Sequence, residues 1–325
     1  DFRRQEIINR VKEGLKDISI TRTSFDWGVR FPLDSEHIVY VWFDALLNYY
    51  SATREKGKEK FWPADVHVIG KDILWFHAVY WPAMLLSAGI KLPKKIFAHG
   101  WWTFDKEKIS KSRGKVISVP ELISLAGVDS ARYFLLRETP FGEDGDFSEK
   151  ALVDRHNNEL ANKLGNLVSR VSALAEKYGI EKTTLKKLPK WVKDGIKNNK
   201  TNLSGGLNEG KLEQNKMIGR KHLGLLVEVE KGKLKEFAFE NPSQLSSYVI
   251  EEVKKKIAEY KFDKALNDIF LLVDYCNWYI QEKKPWETHD KKVLYELANA
   301  IKDIAILLYA FIPETCEKIA GTFGF

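Results

Sequence analysis

Short β-branched segments alternate with a helical segment across the first hundred residues, and this alternation constrains the fold more than any other feature of the chain. The apolar segments are residues 37–43, 66–70 and 94–100, and the helical pattern of residues 72–87 begins at Asp72. Strands that are separated by a helix of about ten or more residues need a crossover connection, which favours parallel pairing. The sequence therefore predicts an α/β fold with a parallel sheet in its first part.

The rest of the chain is helical, with one interruption. Helical patterns cover residues 1–16, 119–127, 129–138, 149–178, 247–260, 262–281 and 291–311. Residues 187–245 are rich in lysine and glycine, and within them residues 224–239 alternate like a β-hairpin. We therefore predict two domains, an α/β domain at 1–145 and an all-α bundle at 146–325 that contains the insertion at 187–245.

Composition excludes several classes of protein. Of the 325 residues 44% are hydrophobic and 10 are Trp, so the chain can bury a core and is not a disordered segment. The net charge is +7, and residues 181–240 carry +6 of it, with 14 basic and 8 acidic residues. This local excess fits either a solvated insertion or a polyanionic partner.

The cysteines and the hydropathy indicate the compartment. Cys276 and Cys316 lie 40 residues apart, and neither belongs to a CxxC pair. This pattern favours a reducing compartment, for which we expect the cytoplasm, and it predicts no zinc site within this chain. The sequence has no apolar run of about eighteen residues, so we expect no membrane partner.

A basic loop follows the third apolar segment. KISKSRGK, residues 108–115, contains four cations, two serines and a glycine. A short loop of ammonium groups and hydroxyls can neutralise the charge of a departing polyphosphate. A solvated basic loop is the other interpretation of this segment.

Two more groups of residues have functional alternatives. Gly70 ends an apolar segment just before Asp72, where a phosphate can approach the backbone and a carboxylate can hold a ribose. Trp42, Ala45 and Tyr49 have the spacing of one helical face. Such an aromatic face fits either an apolar or thioether ligand or ordinary core packing.

The order of the motifs resembles the bacterial methionyl-tRNA synthetases, a family of class I aminoacyl-tRNA synthetases. The matching segments of the first part are FDWG (25–28), VWFDAL..Y (41–49), GKDI..FH..YWPAML (70–85), HGWWT (99–103), KISKS (108–112) and DGDFS (144–148). KISKS is similar to the KMSKS signature, with Ile109 in place of Met. NKLGNLVSR (162–170) and KKPWE (283–287) resemble the anticodon-binding helices and loop of the same family.

The resemblance implies that methionine is attached to its tRNA through methionyl-adenylate, with ATP and Mg²⁺ as substrate. Lys111 matches the signature lysine that stabilises the departing pyrophosphate, and Lys108 and Ser110 support its loop. The implied ATP-binding residues are Gly70, Asp72, His99, Gly100 and Lys111. The implied methionine-binding residues are Trp42, Ala45, Tyr49, Ile73 and His77. The implied anticodon-binding residues are Asn166, Arg170 and Trp286.

The sequence also departs from the family pattern. The HIGH motif, the first strands and the connective-peptide domain are absent, and residues 187–245 have no counterpart. We therefore expect the second half of a Rossmann-like catalytic domain, followed by an anticodon-binding bundle. The expected partners are methionine tRNA, methionine and ATP, with a separate N-terminal half or a second copy of the chain.

Two other functions stay open. The chain could be a catalytically incomplete tRNA-binding fragment or one half of a split synthetase. It could also belong to another KMSKS-type class I synthetase, such as one for leucine or cysteine.

Overall fold

The computed structural model describes residues 2–104, 107–108, 117–180, 216–217, 225–230 and 233–325. The chain forms two compact units, one of residues 1–109 with 142–146 and one of residues 110–141 with 147–325. Within the described ranges, every helix is too short or too polar to cross a membrane.

The first unit is built around a pair of parallel strands. Its helices are α1 (Phe2–Lys12), α2 (Val41–Ala45), α3 (Asn48–Ser51) and α4 (Trp81–Ser87), and a π-helical turn at Phe76–Tyr80 leads into α4. Its strands are β1 (Thr21–Arg22), β2 (Arg30–Phe31), β3 (Asp34–Val39), β4 (His67–Gly70), β5 (Ile96–His99), β6 (Trp102–Phe104), β7 (Glu107–Lys108) and β8 (Gly145–Phe147). β4 and β5 pair in parallel, which confirms the predicted crossover. An antiparallel sheet has the strand order β1-β3-β2. Another sheet has the order β7-β6-β8, in which β6 and β7 pair antiparallel.

The predicted strand at residues 37–43 is wrong in its pairing and at its C-terminal end. β3 pairs antiparallel with β1 and β2 and does not join the parallel pair of β4 and β5. β3 stops at Val39, and α2 begins at Val41. The neighbouring strand β1 is only two residues long and places Thr21 opposite Val39. The Tyr40 amide still donates to the Ile20 carbonyl at 2.8 Å, and the chain turns into α2 at the next residue. The helical spacing of Trp42, Ala45 and Tyr49 was the better indicator here.

The second unit is mainly helical. Its helices are α5 (Val119–Arg137), α6 (Glu149–Arg155), a π-helical segment (His156–Gly165), α7 (Asn166–Tyr178), α8 (Pro242–Ala258), α9 (Phe262–Lys283), α10 (Pro285–Thr288), α11 (Lys291–Leu308) and α12 (Pro313–Phe323). The predicted hairpin is confirmed as β10 (Leu225–Glu230) against β11 (Lys233–Ala238), with β9 (Lys216–Met217) beside β10. The sequence did not predict α10 or α12.

The core of the second unit lies mainly between α8, α9 and α11. Apolar side chains recur every three or four residues along α9, and Leu266, Ile269 and Val273 are fully buried there. Cys276 and Cys316 are free thiols that pack in the same core. Burial raises the pKa of the Cys316 thiol to about 12, so it packs as an uncharged apolar group.

Helix α5 holds the loop between α11 and α12. Arg132 donates from Nε to the Phe311 carbonyl (3.0 Å) and from Nη2 to the Ala310 carbonyl (2.7 Å). The buried Asp129 carboxylate accepts from the Thr315 amide at 2.6 Å. The cation thus satisfies carbonyls after α11, and the carboxylate satisfies an amide in the first turn of α12.

A largely buried ionic network joins α5 to α6 and the π-helical segment. Glu159 accepts from Arg155 Nη1 (2.6 Å), from Arg137 Nε (3.1 Å) and from the Tyr133 hydroxyl. Arg155 also donates to Glu138 at 2.8 Å. Burial alone raises the pKa of Glu159, but the Tyr133 hydrogen bond and the arginine charges outweigh it and leave that pKa below its ordinary value. Glu159 is therefore held ionised.

Candidate functional site

The carboxyl ends of β4 and β5 bring predicted site residues together. Gly70 and His99 are directly opposite each other in the parallel register. His99 Nδ1 lies 2.7 Å from the Gly100 carbonyl and must donate to it, since a carbonyl only accepts. In open α/β sheets, ligands bind beyond this end of the strands.

Backbone crowding requires a glycine at position 100, whereas at Gly70 the nearest atoms belong to the side chain of Asp72. A Cβ at Gly100 would lie 2.1 Å from the Glu143 carbonyl oxygen and 2.6 Å from the Asp144 nitrogen. A Cβ at Gly70 would lie 2.6 Å from Oδ1 of Asp72. Gly100 therefore allows two backbone segments to touch, and Gly70 leaves room for the Asp72 carboxylate.

Asp72 lies in a polar cluster that the sequence did not predict as a unit. Trp101 Nε1 donates to Asp72 Oδ1 at 3.3 Å, and the Trp101 amide donates to Asp144 Oδ1 at 2.8 Å. Lys71 Nζ donates to Asp144 Oδ2 at 2.5 Å, and its nitrogen lies 4.3 Å from the Trp101 ring centroid. The hydrogen bond from Lys71, assisted by the Trp101 amide, lowers the pKa of Asp144. The four side chains line a cavity of about 600 Å³.

The predicted methionine-binding residues Tyr49, Ile73 and His77 are joined by hydrogen bonds. His77 Nδ1 lies 2.9 Å from the Ile73 carbonyl, and His77 Nε2 lies 3.0 Å from the Tyr49 hydroxyl. Burial lowers the pKa of His77, although the Ile73 hydrogen bond opposes this, so the ring is neutral at physiological pH. A neutral ring that donates from Nδ1 must accept at Nε2, and the Tyr49 hydroxyl therefore donates to it.

Aromatic rings surround this pair. Trp42 stacks on Phe76 with centroids 4.2 Å apart, and its edge contacts His77. Ala45 ends α2, one turn after Trp42. On the other side, Tyr49 packs edge-on against His67, whose pKa is lowered by burial and by the nearby His77. The walls of the Tyr49–His77 pair are thus aromatic and uncharged.

A larger cavity, of about 840 Å³, lies beside this aromatic group. Its aromatic lining residues are Tyr40, Trp42, Phe43, Trp75 and Tyr80. Of the predicted methionine-binding residues only Trp42 lines it, so the cavity and the Tyr49–His77 pair are different places in the unit.

In the second unit, two of the predicted anticodon-binding residues, Arg170 and Trp286, lie together. The Arg170 guanidinium carbon is 5.8 Å from the Trp286 ring centroid. Gln281 accepts from both Nη atoms of Arg170, at 2.9 and 3.0 Å, when its amide is oriented to satisfy both groups. These residues line a concavity of about 370 Å³. The exposed Asn166 donates to the Asn162 carbonyl at 2.9 Å and is not among the lining residues.

Of the predicted catalytic loop, residues 108–115, the structure describes only Lys108. Lys108 ends β7, whereas Ser110 and Lys111 lie outside the described residues. Among the residues that the structure describes, no group of three or more His, Cys, Asp or Glu side chains is placed to hold a metal ion.

Two family models match the chain. Residues 3–172 match the model of the class I tRNA synthetases (M), which is more than half of the chain. The chain belongs to this family. Residues 244–324 match the anticodon-binding domain of tRNA ligases, and both matches agree with the class I fold followed by a helical domain. Residues 173–243, which include most of the predicted insertion, lie outside both matches.

Individual relatives agree with the family assignment. The methionine–tRNA ligases of Caldanaerobacter subterraneus subsp. tengcongensis and Rickettsia conorii are 37% and 38% identical to this chain, over 100% and 99% of its length. The chain covers 46% and 57% of those proteins and so spans about half of their length. Mycobacterium tuberculosis methionyl-tRNA synthetase in complex with methionyl-adenylate superposes with a TM-score of 0.74 at 34% identity, over 98% of this chain and 57% of that one.

Proposed function

We propose that this chain contributes part of the active site and the anticodon-binding domain of a methionine–tRNA ligase. In this proposal the catalytic part is residues 1–145, and the anticodon-binding part is residues 146–325. The reaction joins methionine to ATP with release of pyrophosphate and then transfers the methionyl group to tRNA. ATP enters with Mg²⁺ as substrate.

The observation that carries the proposal is the neutral Tyr49–His77 pair beside the Trp42–Phe76 stack. Ile73 fixes the tautomer of His77, so no charged group faces the rings from this pair. A thioether is polarisable and uncharged, and it packs favourably against ring edges. The surroundings of the pair therefore suit a methionine side chain better than a charged one.

The remaining groups have separate roles in the proposal. Asp72 accepts from a ribose hydroxyl, beside the strand ends that carry Gly70 and His99, and Gly100 keeps that edge closely packed. Lys111, with Lys108 and Ser110, neutralises charge on the departing pyrophosphate. Such positioning and charge stabilisation need no covalent step by a side chain.

Calorimetric titration of the chain tests the methionine site. L-Methionine should bind more tightly than its sulfur-free isostere L-norleucine, by about two- to tenfold, because sulfur-ring contacts are worth about 0.3–1.5 kcal/mol. L-Leucine is the control for a synthetase of another specificity. Tighter binding of leucine than of methionine would overturn the assignment.

A second candidate function is tRNA binding without catalysis, which the concavity of Arg170, Gln281 and Trp286 favours independently. A guanidinium and an indole together suit a single unpaired base. The Asn166 side chain, one turn before Arg170, is a further proposed base contact.

Methionine-dependent exchange of pyrophosphate into ATP separates the two candidates. It is measured with the chain alone and after mixing with the N-terminal half of the M. tuberculosis relative. Exchange in either sample supports the ligase. If neither sample shows exchange but the chain binds tRNA, the second candidate is supported. Sedimentation of the chain tests whether a second copy is a partner.

A further inference from the structure

We propose that Trp101, Asp144 and Lys71 position the Asp72 carboxylate toward a ribose hydroxyl. The inference rests on the proposed ribose-holding role of Asp72 and adds three residues that act through it. They are positioning residues, because Trp101 donates to Asp72, while Asp144 and Lys71 contact Trp101 and each other.

Asp72 needs such support because of where it stands. It lies in the single turn Lys71–Ile73 after β4, and its side chain is exposed. An exposed aspartate rotates among several rotamers, and fixing one of them before the ligand arrives lowers the entropic cost of binding. Trp101 Nε1 fixes Oδ1 from one side. Among the described residues no group donates to Oδ2, which leaves that oxygen for a ligand hydroxyl.

The indole that holds Asp72 is itself held in three ways. Its own backbone amide donates to Asp144 Oδ1, and its carbonyl accepts from the Gly145 amide at 2.9 Å. The Lys71 ammonium lies over the ring while it donates to Asp144 Oδ2. Lys71 and Asp72 are adjacent in sequence, so the contacts close a ring from Asp72 through Trp101 and Asp144 back to Lys71.

Gly100 makes the ring possible. The segment 143–144 approaches Gly100 so closely that any side chain there would collide with the Glu143 carbonyl. This approach brings the Asp144 carboxylate beside the Trp101 amide, although the two residues are 43 positions apart. The glycine thus contributes to the site by admitting Asp144.

The charges nearby are consistent with a positioned carboxylate. The cavity that Asp72 lines is also lined by Arg3, Glu6, Arg10 and Glu143. Because positive and negative side chains are both present, the cavity is not a simple anion-binding site. Lys71 is engaged by Asp144 rather than by Asp72. The Asp72 carboxylate therefore stays available as an acceptor for a neutral hydroxyl.

The test is discrimination between ATP and its 2′-deoxy and 3′-deoxy analogues, measured calorimetrically on the chain. The parent chain should bind one of the two analogues at least about tenfold more weakly than it binds ATP. That analogue lacks the hydroxyl that donates a hydrogen bond to the charged Asp72 carboxylate. Asp144→Asn should reduce this ratio to about threefold or less, and Asp72→Asn should bring it near one. A variant that only loosens the fold weakens all three nucleotides equally and keeps the ratio.

Asp146→Asn is the matched control, because Asp146 lies two residues after Asp144 and accepts a hydrogen bond from the Thr103 hydroxyl at 2.5 Å. It should keep the parent ratio. If Asp72→Asn abolishes discrimination while Asp144→Asn preserves it, the positioning role is wrong and the ribose role stands. If the parent shows no discrimination, the ribose role of Asp72 fails and the positioning role fails with it.

A second measurement does not depend on nucleotide binding. The indole N–H signal of Trp101 in a ¹⁵N spectrum, assigned with Trp101→Phe, should shift in both Asp72→Asn and Asp144→Asn. It should stay in place in Asp146→Asn. A signal that Asp144→Asn leaves unmoved overturns the proposal.

Discussion

Replacing Trp286 by alanine should weaken the binding of methionine tRNA about thirtyfold. A base stacked on an aromatic side chain is worth about 1–3 kcal/mol, or about 5- to 150-fold in Kd. Trp286 is half-buried against the helical core, so one part of the ring packs and the rest is available. We therefore take the middle of the range, about 2 kcal/mol.

The assay is filter binding of methionine tRNA at two salt concentrations. Because the indole is uncharged, the dependence of the logarithm of the affinity on the logarithm of salt should be the same in Trp286→Ala and in the parent. Trp286→Phe should retain most of the affinity, since a flat ring remains.

Trp278→Ala is the matched control for lost packing. Trp278 also packs partly buried against the helical core, but it does not line the concavity of Arg170 and Trp286. Thermal melting of both variants shows whether they lose similar stability. If Trp278→Ala weakens tRNA binding as much as Trp286→Ala, or if neither does, the stacking role of Trp286 is refuted.

Three further predictions concern stability and catalysis. Glu159→Gln should lower the free energy of unfolding in urea by about 3 kcal/mol, because it leaves Arg137 without its largely buried partner; a loss below about 1 kcal/mol would contradict this. Burial lowers the pKa of His67 and His77 from the ordinary 6.5, so the unfolded chain takes up protons first and stability should fall as the pH drops below about 6.5. The melting temperature, measured in buffers between pH 7.5 and 5, should change less with pH in His77→Gln than in the parent. An equal change in the two proteins would contradict the role of His77. In the sample that shows pyrophosphate exchange, Lys111→Ala should slow exchange about a hundredfold or more with methionine affinity retained, and an unchanged rate would remove Lys111 from the mechanism.

The sequence predicts those parts of the site that depend on local pattern. A β-branched run that ends at a glycine, followed by a helix and a second such run, is enough to place Gly70 and His99 at the carboxyl ends of parallel strands. The end of β3 could not be predicted in this way, because it depends on how long the neighbouring strand is. Val41 has a strand-like side chain but is the first residue of α2.

Contacts between distant segments could not be predicted from periodicity. Tyr49 and His77 are 28 residues apart, and only the family resemblance suggested that they share a pocket. The segments GKDI, HGWWT and DGDFS were recognised separately, yet nothing in their spacing indicates that Lys71, Trp101 and Asp144 form one cluster. Gln281 reads as an ordinary polar residue near the end of a helix, and only its contact with Arg170 distinguishes it.

The hydrogen bonds of α5 to the loop after α11 and to the first turn of α12 affect the order in which the protein folds during synthesis. Arg132 and Asp129 bond to residues that are 178 to 186 positions further along the chain. At about 5–20 residues per second a ribosome needs roughly ten to forty seconds to make that interval. Throughout this time the Asp129 carboxylate lacks its Thr315 partner, and the helices that will cover it do not exist. The second unit therefore closes only after α12 has left the ribosome, and until then the apolar faces of its earlier helices are exposed to water or covered by chaperones.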